Sequence, residues 1–251
     1  MNKSSYNAYF ISDIHLKSPD ELKAKLFLDF LKKIPQPYPA THLFLLGDIF
    51  DLWISNHEFF IHRFDAIVHE LSRLVQQGIS VHYVEGNHDL YLRDYFENCC
   101  HIHVYESPEI IRFGHRMIRI EHGDQIDRKD HGYCFLRWLL RTRCLNYVAR
   151  HLPGHLVAYI GTRASQVSRS YNKQLSESSY QEFRLKIRQH ALDQIQQQQF
   201  DFIISGHFHV QDIYAFQYGK QRIVSINLGS WDNCPQAFRL TEYNESFMNI
   251  E

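Results

Sequence analysis

The chain has 251 residues, 44% hydrophobic and 22% charged, which places it among globular proteins and excludes disorder and collagen-like repeats. The length suits one large domain, or one domain with a sizeable insertion, and is enough to bury a full core. The formal net charge of −1, from 27 basic and 28 acidic residues, excludes a uniformly basic nucleic-acid binder, and no nucleic-acid partner is expected.

In chain order, Tyr9-Phe10-Ile11 reads as a short buried strand ending in Ser12-Asp13-Ile14-His15. Residues 21–34 carry apolar side chains at helical spacing (Leu22, Leu26, Phe27, Phe30, Leu31), and Pro35 stops them. Residues 42–46 form a second buried strand, broken by Gly47-Asp48. A single helix is predicted over 58–77, closed by Gly78. A third strand follows at 79–84 and runs into Glu85-Gly86-Asn87-His88-Asp89. Strand, loop, helix, strand is an α/β rhythm with a partly parallel sheet. Short strands are then predicted at 102–105, 110–113 and 117–121, a helix at 180–199, and a strand at 202–204 leading to Ser205-Gly206-His207-Phe208-His209. Three further strands are predicted at 212–218, 222–227 and 236–243.

The five cysteines include no Cys-x-x-Cys pair, which argues against a disulfide scaffold or a thiolate zinc site and for a reducing cytosol. The N-terminus shows no signal-peptide core, and no apolar run approaches the roughly 18 residues of a membrane span, so a soluble or at most peripheral protein is expected. Histidine stands out instead: 17 residues, more than the 11 glycines. Imidazole is the commonest metal ligand.

Polar, metal-type residues follow strands five times: Asp13-x-His15, Gly47-Asp48, Gly86-Asn87-His88-Asp89, His122-Gly123-Asp124 and Gly206-His207-x-His209. Side chains beyond the carboxyl ends of strands line a shared crevice. Residues at i and i+2 of extended chain point the same way, so Asp13 with His15 can grip one ion, and His207 with His209 can both face the same crevice. Each motif alone is more often surface polarity or a turn. Five at strand ends in one chain predict a metal site. Asp, Asn and His without thiolate suit Mn²⁺, Fe or Zn²⁺ rather than copper(I) or an iron–sulfur cluster. Seven ligands are too many for one ion, so two divalent ions are expected, with Asp48 the simplest bridge. Paired ions about 3.5–4 Å apart serve phosphoryl-ester hydrolysis and generate a hydroxide nucleophile at neutral pH.

The ordered motifs Asp-x-His, Gly-Asp-x-x-Asp, Gly-Asn-His-Asp, His-Gly-Asp and Gly-His-x-His resemble those of the calcineurin-like metallophosphoesterases. The resemblance implies a four-layer αββα sandwich, with Asp13, His15, Asp48 and His209 around one ion and Asp48, Asn87, His122 and His207 around the other. It implies that His88 protonates the leaving group or steadies the phosphoryl charge, with the carboxylate of Asp51 orienting it. Residues 47–54, His122-Gly123-Asp124 and Asn227-Leu228-Gly229-Ser230-Trp231 look like those of the bacterial UDP-2,3-diacylglucosamine pyrophosphohydrolases of lipid A synthesis. That narrower resemblance implies cleavage to UMP and 2,3-diacylglucosamine 1-phosphate, usually with Mn²⁺, at the cytoplasmic face of the inner membrane. The best-known branch carries Gly-Asn-Arg-Asp where this chain has Gly-Asn-His-Asp.

Charge is unevenly spread. Residues 128–173 hold nine basic residues and one acid, Asp130, for a net +8, while the remainder carries 18 basic against 27 acidic residues. Arginines here alternate with Phe135, Leu136, Trp138, Leu139 and Tyr147, the pattern of a basic amphipathic pair of helices at a lipid surface. The expected organisation is a catalytic body of 1–127 and 174–251 with a helical lid at 128–173. A nucleotide-linked lipid substrate and an anionic membrane surface are the expected partners. By resemblance, Asp130, Ser168 and Asn172 would meet the substrate, with Arg163 and Arg169 nearby. The plainer alternative is a structural hairpin with a solvated basic face. Two other functions fit the motifs: a sister phosphodiesterase or phosphomonoesterase, or a non-catalytic metal-stabilised scaffold. Outside the five motifs, His57, His62, His69 and His190 are expected to be exposed helix residues, and His82, His101 and His103 to lie on or near strands.

Overall fold

The apolar runs become strands β1 (Asn7–Ile11), β2 (His42–Leu45), β3 (Trp53–Ile54), β4 (Ser80–Val84), β5 (Asp89–Leu90), β6 (His103–Tyr105), β7 (Glu109–Phe113) and β8 (Arg116–Ile120). After them come β9 (Phe202–Ser205), β10 (Gln211–Tyr218), β11 (Gln221–Leu228), β12 (Gln236–Thr241) and β13 (Glu245–Asn249). The helices are α1 (Leu22–Lys33), α2 (Glu58–Arg63), α3 (Asp65–Gln76), α4 (His131–Leu140), α5 (Arg143–His151) and α6 (Glu177–Ile195). The structure, a computed structural model, describes residues 6–127, 131–159, 177–232 and 234–251, without the side chains of His131 and Arg143.

One sheet has the order β13-β12-β1-β2-β4-β6 and the other β10-β11-β9-β8-β7. Their centres are parallel, β1 with β2 and β4 in the first sheet and β8 with β9 and β11 in the second. The twofold period of a strand sorts its side chains between two cores. Along β1, Tyr9 and Ile11 face the core under α1 and α3, whereas Ala8 and Phe10 face the core between the sheets. Leu43 and Leu45 of β2 do the former, Phe44 the latter. Strands buried on both faces must read as continuous apolar runs, which is why they were legible. On the far side, Ala191 and Ile195 of α6 pack on Ile203 and Ile223. The layers are therefore helix, sheet, sheet, helix, the αββα sandwich that the family resemblance implied.

Several expectations change. His57 is not an exposed helix residue: it caps α2, half-buried, with Nε2 3.0 Å from the Leu152 carbonyl. The helix predicted over 58–77 is two helices, because Phe64 leaves helical geometry and packs its ring 4.7 Å from Phe50. The last predicted strand ends at Thr241, whose hydroxyl accepts the Asn244 N–H at 2.9 Å, and the chain returns as β13. His190 is not an exposed helix residue: it contacts Glu121 at 2.7 Å, with its side chain 12% exposed.

Between β8 and α6 lie α4, α5 and helical residues 154–159. Arg137 pairs with Asp124, Arg141 with Glu85, and Arg150 with Ser55 and Asp94. The Tyr91 hydroxyl donates to the carbonyls of Leu140 and Thr142 at the α4–α5 corner. These contacts seat the helices over the carboxyl ends of the strands.

Candidate active site

The five motifs follow β1, β2, β4, β8 and β9, and the loops interlock through their main chains. Asp13 N–H donates to the Gly47 carbonyl at 3.1 Å, and His15 N–H to that of Asp48 at 2.9 Å. Gly206 N–H donates to the His122 carbonyl at 2.8 Å. Side chains distant in sequence thereby meet. Ligand atoms of Asp13, His15 and His209 lie within 4.8 Å of one another, as do those of Asp48, His122 and His207. Asp48 stands between the groups. Its Oδ1 accepts the N–H groups of Asn87 and His88, both at 2.9 Å, while its Oδ2 lies 3.8 Å from His15 Nε2 and 3.5 Å from His122 Nε2.

The geometry fits divalent cations. His15 Nε2 and His209 Nε2 face each other at 3.1 Å, and His122 Nε2 and His207 Nδ1 at 3.3 Å. Asn87 Oδ1 is 3.1 Å from both members of the second pair. Opposed lone pairs at that range repel unless a proton or a cation lies between them. Asp13 Oδ1 is buried without a hydrogen bond in the protein. His122 donates Nδ1–H to the Leu46 carbonyl at 2.8 Å, which turns Nε2 inward in the manner of a metal-ligating imidazole.

The titration behaviour agrees. Burial pushes His15 down to about 3 and His207 down to about 4, so both are neutral and able to bind a cation. Burial also disfavours charge on His122, but the Asp48 carboxylate outweighs it and lifts that imidazole to about 10. Burial opposes ionisation of Asp48, yet the surrounding histidines hold it well below the usual carboxylate range. The carboxylates thus call for positive charge, which bound cations would supply.

Asp13, His15, Asp48, His207 and His209 all have φ between +52° and +71°. Non-glycine residues avoid this region at a cost of about 1–3 kcal/mol, and such strain gathers at functional sites. The framework holding them includes groups that the sequence left without a role. Buried Asp89 accepts the N–H groups of Asp48, Ile49 and Gly86 at 2.8, 3.0 and 3.0 Å, and the Tyr83 hydroxyl at 2.5 Å. Asn227 donates to the Gly206 carbonyl at 2.6 Å, and the Ser230 hydroxyl to that of Asp13 at 3.4 Å. A side chain at Gly86 would strike Asp48 and Asp89, so glycine there is a matter of close approach.

His88 lies beside His15, ring centroids 4.9 Å apart, and shares a cluster with His15 and Asp48. Its Nδ1 is 2.9 Å from the main-chain carbonyl of Asp51. The Asp51 side chain, to which the family resemblance assigns the orienting of His88, is buried. The five predicted substrate contacts, Asp130, Arg163, Ser168, Arg169 and Asn172, lie outside the described residues.

Beside His88 and Asn87 opens a cavity of about 300 Å³ between the body and the α4–α5 pair. Leu52, Ile54, Leu90, Leu136, Leu140 and Leu145 contribute its apolar wall, while Tyr91, Tyr133, Arg137 and Arg141 give it a polar margin.

An αββα sandwich with paired carboxylate–imidazole clusters at its strand ends is the architecture of metal-dependent phosphoester hydrolases. The family model for calcineurin-like phosphoesterases matches residues 6–211, and the chain belongs to that family, whose members use divalent metals. Among curated proteins it is similar to a UDP-2,3-diacylglucosamine hydrolase of Histophilus somni, 28% identical over 225 residues that span 89% of this chain and 91% of the relative. It is also similar to one of Photorhabdus laumondii, 27% identical over 93% of this chain and 94% of the relative. A solved archaeal phosphodiesterase aligns with a TM-score of 0.47 at 12% identity, over 97% of this chain and 98% of that one. The protein is a metal-dependent phosphoester hydrolase.

Proposed function

We propose that the protein cleaves the diphosphate of UDP-2,3-diacylglucosamine to UMP and 2,3-diacylglucosamine 1-phosphate. The observation that carries this reading is the apolar cavity of about 300 Å³ that begins at His88 and Asn87. A phosphoester site needs no greasy wall for a small polar ester, whereas acyl chains gain roughly 0.8 kcal/mol per buried CH₂. The names of the curated relatives point the same way.

Two divalent cations, Mn²⁺ first among candidates, would be held by Asp13, His15, Asp48 and His209 and by Asp48, Asn87, His122 and His207. Bound there, they supply a water-derived nucleophile at neutral pH and offset phosphoryl charge. The protein groups do the rest. With Nδ1–H given to the Asp51 carbonyl, His88 has Nε2 available to the reacting group. As an imidazolium it donates that proton to the leaving oxygen and becomes the neutral tautomer with hydrogen on Nδ1. Asp89 fixes the two loops that carry Asp48, Asn87 and His88. The α4–α5 pair covers the reacting centre and keeps the acyl chains from water.

The same helices present apolar side chains outward as well, with Phe135, Trp138 and Tyr147 all more than 60% exposed. Among the described residues no helix is long and apolar enough to cross a membrane. These outward aromatics, on a segment of net basic charge, support peripheral docking on an anionic membrane, at the cytoplasmic face of the inner membrane, from which the lipid substrate enters.

The experiment is product analysis by mass spectrometry after incubation of the Mn²⁺-loaded protein with UDP-2,3-diacylglucosamine. Equal amounts of UMP and 2,3-diacylglucosamine 1-phosphate are expected. Intact substrate, alongside hydrolysis of bis-p-nitrophenyl phosphate, would assign the chain to another phosphodiesterase activity.

A further inference from the structure

Arg137 and Arg141 line the same cavity as His88 and Asn87 and have no role in the chemistry above. They lie one helical turn apart, joined by a hydrogen bond from Arg141 N–H to the Arg137 carbonyl at 3.2 Å. Each guanidinium is held by a buried carboxylate next to a proposed metal ligand. Arg137 Nε donates to Asp124, two residues beyond His122. Arg141 donates to Glu85 at 2.7 Å, two residues before Asn87, and to the Gly86 carbonyl at 3.3 Å. Arg141 Nε is buried with no hydrogen-bond partner in the protein.

A guanidinium carries five N–H donors in a rigid fork, so a carboxylate on one edge leaves other donors for a second acceptor. Two cations can neutralise one phosphoryl group. A second phosphoryl group under the apolar cap would be a buried charge without compensation unless cationic side chains met it. Among the described residues lining the cavity, Arg137 and Arg141 are the lysine or arginine side chains present.

We propose that Arg137 and Arg141 form a binding site for a second phosphoryl group, next to the one at the metal centre, and so select diphosphate ligands over monophosphates. Asp124 and Glu85 act as positioning residues. They fix the guanidiniums before the ligand arrives, so little side-chain freedom is lost on binding. This deepens the diphosphate reading above and rests on it for the identity of the natural ligand.

The test uses the full-length Mn²⁺-loaded protein and measures inhibition constants of UDP and UMP against hydrolysis of bis-p-nitrophenyl phosphate. The wild type is expected to bind UDP at least about tenfold more tightly than UMP, as two charged hydrogen bonds warrant. Arg137→Gln and Arg141→Gln should each remove most of that preference, and Arg141→Lys should restore part of it. The ratio is taken within each variant, so a reduced active fraction cancels; the lysine variant also serves where a glutamine variant folds poorly. An unchanged ratio in the variants, or an equal loss for both nucleotides, overturns the proposal. If the wild type leaves UDP-2,3-diacylglucosamine intact while the ratio still collapses in the variants, the substrate reading fails and the phosphoryl site stands.

Discussion

His88 and Asp89 are neighbours with opposite tasks. His88, with Nδ1 on the Asp51 carbonyl, shares a cluster with His15 and Asp48, whereas Asp89 turns inward to four donors. His88→Ala should lower kcat for bis-p-nitrophenyl phosphate by about 10²–10⁴-fold, the usual contribution of a positioned proton donor, with cation content unchanged. A parallel fall in cation content would make His88 a ligand instead. Asp89→Ala leaves three buried N–H groups and the Tyr83 hydroxyl without their acceptor. It should cost about 2–4 kcal/mol in urea unfolding and weaken cation binding, because Asp48 and Asn87 lose their anchor. An unfolding midpoint equal to that of the wild type would contradict this role. The ligand candidates were legible in the sequence because they repeat one pattern, acid or imidazole just after an apolar run. Asp89 belongs to the same pattern, so composition and spacing could not separate it from a ligand; only its direction in space does. Left-handed backbone at Asp13, His15, Asp48, His207 and His209 left no trace in residue type, because glycine does not mark those positions.

At the scale of elements, the central strands and the edge strands β6, β7 and β10 were readable in the sequence, whereas the edge strand β13 was not. β1 and β2 announce themselves as apolar runs, while β13 (Glu-Ser-Phe-Met-Asn) is half-exposed and lacks a clear alternation. The break at Phe64 leaves no mark in the sequence because both flanking segments keep a helical period; in the fold the Phe64 ring packs against Phe50. The parallel pairing of β2, β4 and β6 also creates a feature the sequence did not disclose. His82 stacks between His42 and His103, with ring centroids 5.7 and 5.0 Å away. Its other neighbours are Phe44 at 4.4 Å and the Tyr105 hydroxyl at 3.0 Å. Burial, with the adjacent imidazoles, pushes His82 down to about 3 from 6.5. The unfolded chain therefore takes up a proton that the folded chain refuses across that interval, so stability is complete above about pH 6.5 and declines as the pH falls toward 3. His82→Phe preserves the stack on Phe44 and removes the titration. Its melting temperature should fall less steeply with acid than that of the wild type. Parallel profiles over this window would contradict the assignment.

At the scale of the whole molecule, the basic insert changes meaning. In the sequence its arginines fit either a substrate contact or a solvated face. In the fold Arg137, Arg141 and Arg150 meet Asp124, Glu85 and Asp94, acids 13, 56 and 56 residues away in the chain, which local patterning cannot pair. The helices that remain are apolar toward the cavity and apolar toward solvent, with Trp138 63% exposed. A helix greasy on both sides suits a cap that holds lipid beneath it and rests on lipid above. Trp138→Glu should reduce co-sedimentation with anionic phospholipid vesicles several-fold, because an anionic side chain replaces an interfacial aromatic one. Equal sedimentation of variant and wild type would count against membrane docking through this face.

In the proposed active site two cations share Asp48. Electron paramagnetic resonance of the protein titrated with Mn²⁺ tests this most directly, since two Mn²⁺ ions joined through one carboxylate couple magnetically and isolated ions do not. The wild type should bind two ions per chain and give a coupled multiline spectrum, and Asp48→Ala should lose the coupling. A wild type that saturates at one ion per chain, with only the isolated-ion spectrum, would contradict the dinuclear centre.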